Sequence, residues 1–348
     1  MMRAAVLEEI GSLRLKQVPV PEPGPGEVLV RIEANTICGT DLRIISGAKT
    51  AGVRPGVILG HEFAGRVAAV GRGVDGVPVG AQVTCSIVVS CQRCRACLSG
   101  REQLCENLVL FGYELDGGLA EYLLVPKIAM DHGNLVVLEK EIPATTLALA
   151  EPVSCCLNGA GQVAVAPGES VVVLGTGPIG LLHIALAKLA GATTILAAGR
   201  EGRLAAATDF GATCAVALTG EALTAEVRER TNGRGADVVI VAVGDLALAN
   251  QALELAAIGG RVNYFAGFPK GKTASIDPNL IHYRELAVTG GSNARRADVR
   301  RAVELLSSGA LDVGRLVTHR FPLAELDAAV TAVARRDGLK VAVMPEAG

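Results

Sequence analysis

The chain has 348 residues, half of them hydrophobic, and 42 of them are glycine. That length exceeds one ordinary hydrophobic core and the composition is too apolar for a disordered chain, so two α/β domains with many tight turns are expected. With 33 basic against 35 acidic residues and a net charge of −2, there is no basic excess to neutralise a phosphate backbone, and nucleic acid is not an expected partner.

Residues 1–10 have no basic start followed by an apolar run, so no secretory leader is expected. From residue 3 to about 150 the texture is β, with short Val and Ile runs cut by Pro and Gly. Pro19, Pro21, Pro23 and Pro25 forbid helix, and residues 27–34 then alternate as a strand with one wet face. Further strands are expected over 65–71 and 77–83, joined by a turn, and another runs from the Gly117-Gly118 turn to Pro126. Together these make a Gly-rich, partly closed β-barrel.

Within that stretch Cys38-Gly39-Thr40-Asp41 precedes Gly60-His61-Glu62-Phe63-Ala64-Gly65. A thiol, an imidazole and a carboxylate are the S, N and O donors that zinc takes in a tetrahedron, and a catalytic site leaves one position to water or substrate. Taken alone, Cys38 and His61 read equally well as a small buried thiol and a turn histidine.

Cys91-Gln92-Arg93-Cys94-Arg95-Ala96-Cys97, followed by Cys105, is the sharpest local signal. Two-residue gaps turn successive thiolates toward one point, and the loop returns the fourth to close an S4 tetrahedron with no open position, a structural zinc site. The lobe from Cys91 to Cys105 has few apolar residues and needs the ion to stay folded. Nine cysteines, four of them crowded together, speak for metal binding in a reducing, cytoplasmic setting rather than a disulfide frame.

Residues 144–149 have helix-forming composition and end at Glu151-Pro152, where the first domain, 1–150, is expected to hand over to the second, 151–293. Residues 171–189 are apolar enough to raise a membrane span, but the interruptions follow a better pattern. Val171-Val172-Val173-Leu174 is a buried strand, Gly175-Thr176-Gly177-Pro178-Ile179-Gly180 follows at once, and 181–189 has helical periodicity. A G-x-G-x-x-G between strand and helix is a dinucleotide fingerprint: a turn, a close approach to the pyrophosphate, close helix packing, and the positive helix end on the phosphates. Strands at 194–198, 214–218, 237–243, 261–266 and 286–290, with helices at 202–210, 221–230 and 246–257, complete a doubly wound parallel sheet. The loops after Val243, Ala266 and Gly290 are expected to hold the nicotinamide.

An NAD site normally ends its second strand in Asp or Glu for the ribose hydroxyl. Here the strand ends Leu196-Ala197-Ala198-Gly199-Arg200, with Arg203 one turn on. With no carboxylate to repel a 2′-phosphate and two guanidiniums to pair with it, NADP is favoured over NAD. The tail is expected to give a helix over 297–307, a strand over 317–322, a helix over 323–335 and a strand over 340–344, and to complete the first domain from about 294 to 348. His132, His183, His282 and His319 have no partner pattern and read as structural.

This order of motifs resembles the zinc-containing medium-chain dehydrogenase/reductase family over essentially the whole chain. The carriers are Cys38 to Asp41, Gly60 to Gly65, the four-cysteine lobe, Glu151-Pro152 and Gly175 to Gly180. Glu151-Pro152 makes it most similar to the polyol (sorbitol) and threonine dehydrogenase branch. The resemblance implies a GroES-like catalytic domain beside a Rossmann domain, and Cys38, His61 and either Glu62 or Glu151 around a catalytic zinc, with Cys155 and Cys156 as competitors. It further implies Thr40 in a proton relay, Asp41 orienting His61, Lys340 as a cofactor contact, and a homo-oligomer, tetramer or dimer. Where the family often has a histidine three residues after Thr40, this chain has Arg43, which cannot titrate near neutrality.

The implied activity is a zinc-dependent, NAD(P)-dependent alcohol dehydrogenase acting on a small-molecule secondary alcohol, of polyol, cyclitol or amino-sugar type or a threonine-like 3-hydroxy amino acid. A zinc-free reductase of the superfamily would lack Cys38, His61 and the lobe. A non-catalytic cofactor-binding scaffold would keep its behaviour in a Cys38→Ser variant.

Overall fold

A computed structural model describes residues 1–345, so the last three residues of the 294–348 tail lie outside the described residues. The chain separates into two compact units, Met1–Ser154 with the chain from Asn293 on, and Cys155–Ser292.

In the first unit Val28–Thr36 is the spine of a seven-stranded sheet. It pairs antiparallel with Glu62–Val70, Tyr122–Val125 and Lys340–Met344, and the sheet continues to Gln82–Cys85 and Leu135–Val137 on one side and Val317–Pro322 on the other. Its alternate residues Val28, Val30 and Ile32 pack with Phe63, Val67, Val83, Phe111 and Leu123 into one core, the period-2 burial that fixes register. A second sheet runs Ser12–Val18, Met2–Glu9 and Val57–Ile58.

Three expectations for this unit are corrected. The strand expected over 65–71 begins at Glu62, which places that carboxylate inside the ladder. The strand expected over 77–83 is instead Gln82–Cys85. Pro78 has no donor for a ladder, Gly80 turns at φ +88, and the pairing Gly65↔Val83 and Ala64↔Thr84 sets the start. The helix expected to end at Glu151-Pro152 is a short one, Ala144–Leu147, followed by Ala150–Val163. Pro152 is tolerated there because the first turn of a helix has no N–H bond to lose.

The second unit is a six-stranded parallel sheet in the order Cys214–Val216, Thr194–Ala198, Ser170–Leu174, Ala236–Val241, Ala256–Tyr264, Ala287–Gly290. This is the doubly wound order, with the first strand of the unit at its centre. Ser170–Leu174 is buried throughout, and Val172 and Leu174 pack with Val239, Val241, Leu223, Val227, Leu253 and Val262. The apolar run at 171–189 splits into this strand and the helix Pro178–Leu189. Among the described residues no helix is long and apolar enough to cross a membrane. The helix Ala247–Leu255 passes directly into its strand, which starts at Ala256 rather than Arg261. One unexpected helix, Pro278–Arg284, starts from Asp277, whose side chain accepts from the Asn279 N–H. The Asp-Pro pair, N-cap and first-turn proline, was the signal for it.

Candidate metal and cofactor sites

The four-cysteine lobe gathers into one cluster, with the ligand atoms of Cys91, Cys94, Cys97 and Cys105 all within 4.8 Å of one another. The Sγ atoms of Cys94 and Cys97 stand 3.5 Å apart, those of Cys94 and Cys105 3.9 Å, and those of Cys91 and Cys97 4.0 Å. A tetrahedron with metal–sulfur bonds of about 2.3 Å has edges of about 3.8 Å, so the four sulfurs fit one zinc. None of the four forms a disulfide. Backbone N–H groups point at the sulfurs: Cys91 N and Asn107 N donate to Cys105 Sγ at 3.2 and 3.3 Å. The N–H of Arg93 leads in lowering the Cys91 thiol to about 6, while burial pushes Cys105 up.

The second cluster is built by strand register. Thr36 lies opposite Glu62 at the end of the antiparallel pair, so the segments just beyond, Ile37-Cys38 and Gly60-His61, face each other. The ligand atoms of Cys38, His61 and Glu62 come within 4.8 Å of one another, with His61 and Glu62 buried. Gly60 is required there: it turns at φ +95, and a Cβ would stand 2.6 Å from Asn35 Oδ1 and 2.7 Å from the Leu119 nitrogen. Cys38 caps the helix Gly39–Ile45, and its N–H donates to Asp41 Oδ2 at 2.8 Å. Asp41 Oδ1 also stands 3.2 Å from His61 Nδ1, at an angle that forms no hydrogen bond. That position leaves Nε2 as the nitrogen available to a metal. Burial pushes the His61 pKa down, but Asp41, then Tyr113 and Cys38, overcome this and raise it well above the ordinary range.

Glu62 is pinned from two sides. Lys340 Nζ donates to Glu62 Oε1 at 2.6 Å and closely to Oε2, the Thr36 hydroxyl donates closely to Oε2, and Lys340 also reaches the Ile37 carbonyl at 3.3 Å. Lys340 is 6% exposed and Glu62 1%. Lys340, expected to touch the cofactor, is thus a buried partner of Glu62. Burial pulls its pKa down, and Glu62 first, with Cys38 and Glu151, raises it above the usual lysine value. Glu151 is half-buried in the first turn of its helix and is not in the cluster, although its charge reaches Tyr113 and Lys340. Thr40 is half-buried in the first turn after Cys38, and Arg43 is exposed in the last turn of that helix. Cys155 and Cys156 fall in the second unit, and Cys156 Sγ lies 3.9 Å from the Ile179 carbonyl. No local sequence signal marks Thr36 or Tyr113 as part of the site, yet Thr36 holds Glu62 and the buried Tyr113 ring has its centroid 5.5 Å from that of His61.

In the second unit the expected cofactor residues share the C-terminal edge of the sheet. Gly175 follows the strand ending at Leu174, Arg200 the one ending at Ala198, Val243 the one ending at Val241 and Ala266 the one ending at Tyr264, while Gly290 is itself a last strand residue. In open parallel sheets this edge is where ligands bind. Gly175 turns at φ +109, and a Cβ on Gly180 would stand 1.8 Å from the Gly175 carbonyl oxygen, so loop and helix touch backbone to backbone. Gly177 caps the helix Pro178–Leu189 with Pro178 at its first turn, and Ile179 lies one residue on. The Arg203 guanidinium lies 3.6 Å from where a Gly177 Cβ would be, with Arg200 exposed beside it. Gly199 also has no room for a side chain, since a Cβ would meet Thr176 Oγ1 at 2.1 Å.

One unit with a doubly wound dinucleotide sheet and one β unit with an S4 cluster and a Cys-His-Glu cluster together define the class of a zinc-binding dehydrogenase. Residues 24–132 match the alcohol dehydrogenase GroES-like domain and residues 178–308 the zinc-binding dehydrogenase domain. The chain is 37% identical over 313 residues to an L-threonine 3-dehydrogenase of Pyrococcus furiosus, covering 88% of this chain and 87% of that protein. It is 33% identical over 325 residues to an L-galactonate-5-dehydrogenase of Escherichia coli K12, covering 93% of each. A solved structure described as a zinc-binding dehydrogenase from Sinorhizobium meliloti 1021, bound to NADP, superposes with a TM-score of 0.92 at 36% identity over 99% of both chains. The chain belongs to the zinc-containing medium-chain dehydrogenase/reductase family. It is a zinc-dependent oxidoreductase that moves hydride between a nicotinamide cofactor and an alcohol.

Proposed function

We infer that the chain interconverts a secondary alcohol of polyol, cyclitol or sugar type and its ketone, with Cys38, His61 and Glu62 as the protein ligands of a catalytic zinc and Cys91, Cys94, Cys97 and Cys105 holding a structural one. The observation that carries this reading is the meeting of one thiol, one imidazole and one carboxylate at the end of a strand pair, within 4.8 Å, in a chain that also holds a closed S4 set. When bound, zinc supplies the Lewis acidity that makes a carbinol proton acidic, and oxidised nicotinamide supplies the acceptor of the hydride from carbon.

The residues have separate tasks. Asp41 fixes the ring of His61 from the Nδ1 side. Lys340 and Thr36 hold the Glu62 carboxylate and limit its excess charge. Thr40, two residues after Cys38 in the first turn of its helix, relays the carbinol proton toward solvent. Glu151, outside the cluster, serves as an alternate carboxylate. The Gly175 to Gly180 turn and its helix hold the pyrophosphate, with Val243, Ala266 and Gly290 lining the same edge.

NADP is the preferred cofactor. Two guanidiniums stand where a carboxylate would exclude a 2′-phosphate, and a relative 36% identical in sequence was solved with NADP. The test is kcat/KM for both cofactors over a panel of secondary alcohols followed at 340 nm. A tenfold preference for NAD, about 1.4 kcal/mol, refutes the cofactor assignment, and a Cys38→Ser variant with unchanged turnover refutes the zinc centre. A second reading, oxidation of an L-threonine-type 3-hydroxy amino acid, is favoured by the 37% identity to an L-threonine 3-dehydrogenase. Inclusion of L-threonine in the panel separates the two. Assembly into a homo-oligomer, dimer or tetramer, and residence in the cytoplasm complete the proposal.

A further inference from the structure

Near the Cys38, His61 and Glu62 cluster stands a cation that no acid among the described residues neutralises. Lys49 follows the helix Gly39–Ile45, and its N–H donates to the Arg43 carbonyl at 2.9 Å, which folds the loop back on that helix. Its ammonium lies 5.2 Å from the centroid of the Tyr113 ring. The same ring lies 5.5 Å, tilted by 50°, from the imidazole of His61. One buried aromatic side chain therefore links a lysine to a candidate zinc ligand.

An exposed cation–π contact contributes only about 0.5–1 kcal/mol, less than an ordered lysine side chain usually costs in rotamer entropy. Among the described residues no carboxylate pairs with Lys49 or with Arg43. The acids of the facing loop are engaged elsewhere. Glu114 Oε2 accepts from the Leu110 N–H at 2.9 Å, and Asp116 Oδ1 accepts from Arg54 Nη2 at 2.9 Å and the Ile58 N–H at 3.1 Å. The Tyr113 hydroxyl likewise has no hydrogen-bond partner among the described residues. The Tyr113 phenol and the Lys49 ammonium resting on its ring thus stand on one side of the cluster, neither with a hydrogen-bond or ion-pair partner among the described residues. A neutral polyol offers the ammonium only hydroxyl oxygens as acceptors, whereas a carboxylate a few carbons from the reacting carbinol would pair with it in a stronger, charge-assisted contact.

We propose that Lys49, resting on Tyr113, is a specificity residue that selects hydroxy acids, in which a carboxylate and the reacting secondary carbinol share one short carbon chain, over the corresponding neutral polyols. This rests on the dehydrogenase reading of the cluster and narrows its substrate class.

The test uses matched pairs that differ only by carboxylate for hydroxymethyl: D-gluconate with D-sorbitol, and 3-hydroxybutyrate with 1,3-butanediol. Calorimetric Kd values are measured on the full-length zinc-loaded protein, wild type, Lys49→Met and Lys49→Arg, at low and high salt. The expected result is at least tenfold tighter binding of the carboxylate member, lost to within about twofold in Lys49→Met, retained in Lys49→Arg and weakened by salt. Equal affinities within each pair, no binding of either carboxylate, or a ratio that Lys49→Met leaves unchanged overturns the proposal. Turnover at 340 nm is recorded on the same compounds. A Lys49-dependent affinity ratio without turnover supports the anion site and counts against the dehydrogenase reading. Turnover of the neutral members with no preference for carboxylates does the reverse.

Discussion

Replacing Lys340 by Met removes the ammonium paired with a carboxylate that is 1% exposed. Both partners are buried, so solvent does little to screen the pair. Breaking a buried ion pair from one side costs about 3–5 kcal/mol, because the remaining charge is stranded. Thr36 still donates to Glu62, which places the expected loss at the lower end, about 3 kcal/mol. Urea unfolding of the chelator-treated protein, in which no metal charge compensates Glu62, measures it by far-UV circular dichroism. Lys340→Arg should recover most of the loss. Adding Glu62→Gln to Lys340→Met should cost less than the two single changes together by at least about 1.5 kcal/mol, since a neutral pair strands no charge. If Lys340→Met unfolds within about 1 kcal/mol of wild type, or the two changes simply add, the reasoning that Lys340 neutralises Glu62 is wrong.

Three further outcomes follow from the geometry. Cys97→Ser should reduce bound zinc from two ions to one per chain by elemental analysis and open the 91–105 lobe to proteolysis, while two ions at full occupancy would exclude the S4 assignment. Gly60→Ala should destabilise by at least about 2 kcal/mol, because φ +95 and contacts of 2.6 and 2.7 Å both oppose a Cβ; a melting curve unchanged from wild type would refute it. His183 is buried with neither ring nitrogen bonded, and burial holds its pKa down to about 3. The unfolded chain takes a proton near pH 6.5 and the folded one does not, so stability is full above that pH and falls as pH drops toward 3. At pH 5 the loss is about 2 kcal/mol, and it should vanish from the pH 7 to pH 5 difference in a His183→Leu variant.

What could be read from the sequence and what could not divide along chain separation. The four cysteines and the Gly175 to Gly180 turn were readable because their ligating or packing atoms come together within fourteen residues of chain, and the residue spacing itself encodes the geometry. Strand ends were less readable: nothing near residues 77–83 states that the ladder pairs Val83 with Gly65, so an apolar alternation across Pro78 and Gly80 looked continuous. The carboxylate question was the least readable of all. Glu62 and Glu151 are equivalent on paper, and what distinguishes them is Lys340, which reaches Glu62 from 278 residues away through a strand paired with Val28–Thr36. The same long-range pairing gives the carboxylate its physical role. A lysine and a hydroxyl hold Glu62 in place and offset its negative charge, so that the carboxylate can lie buried next to Cys38 and His61. The placement of the carboxylate beside the histidine is therefore set less by its sequence neighbours than by the cation that the strand Lys340–Met344 carries to it.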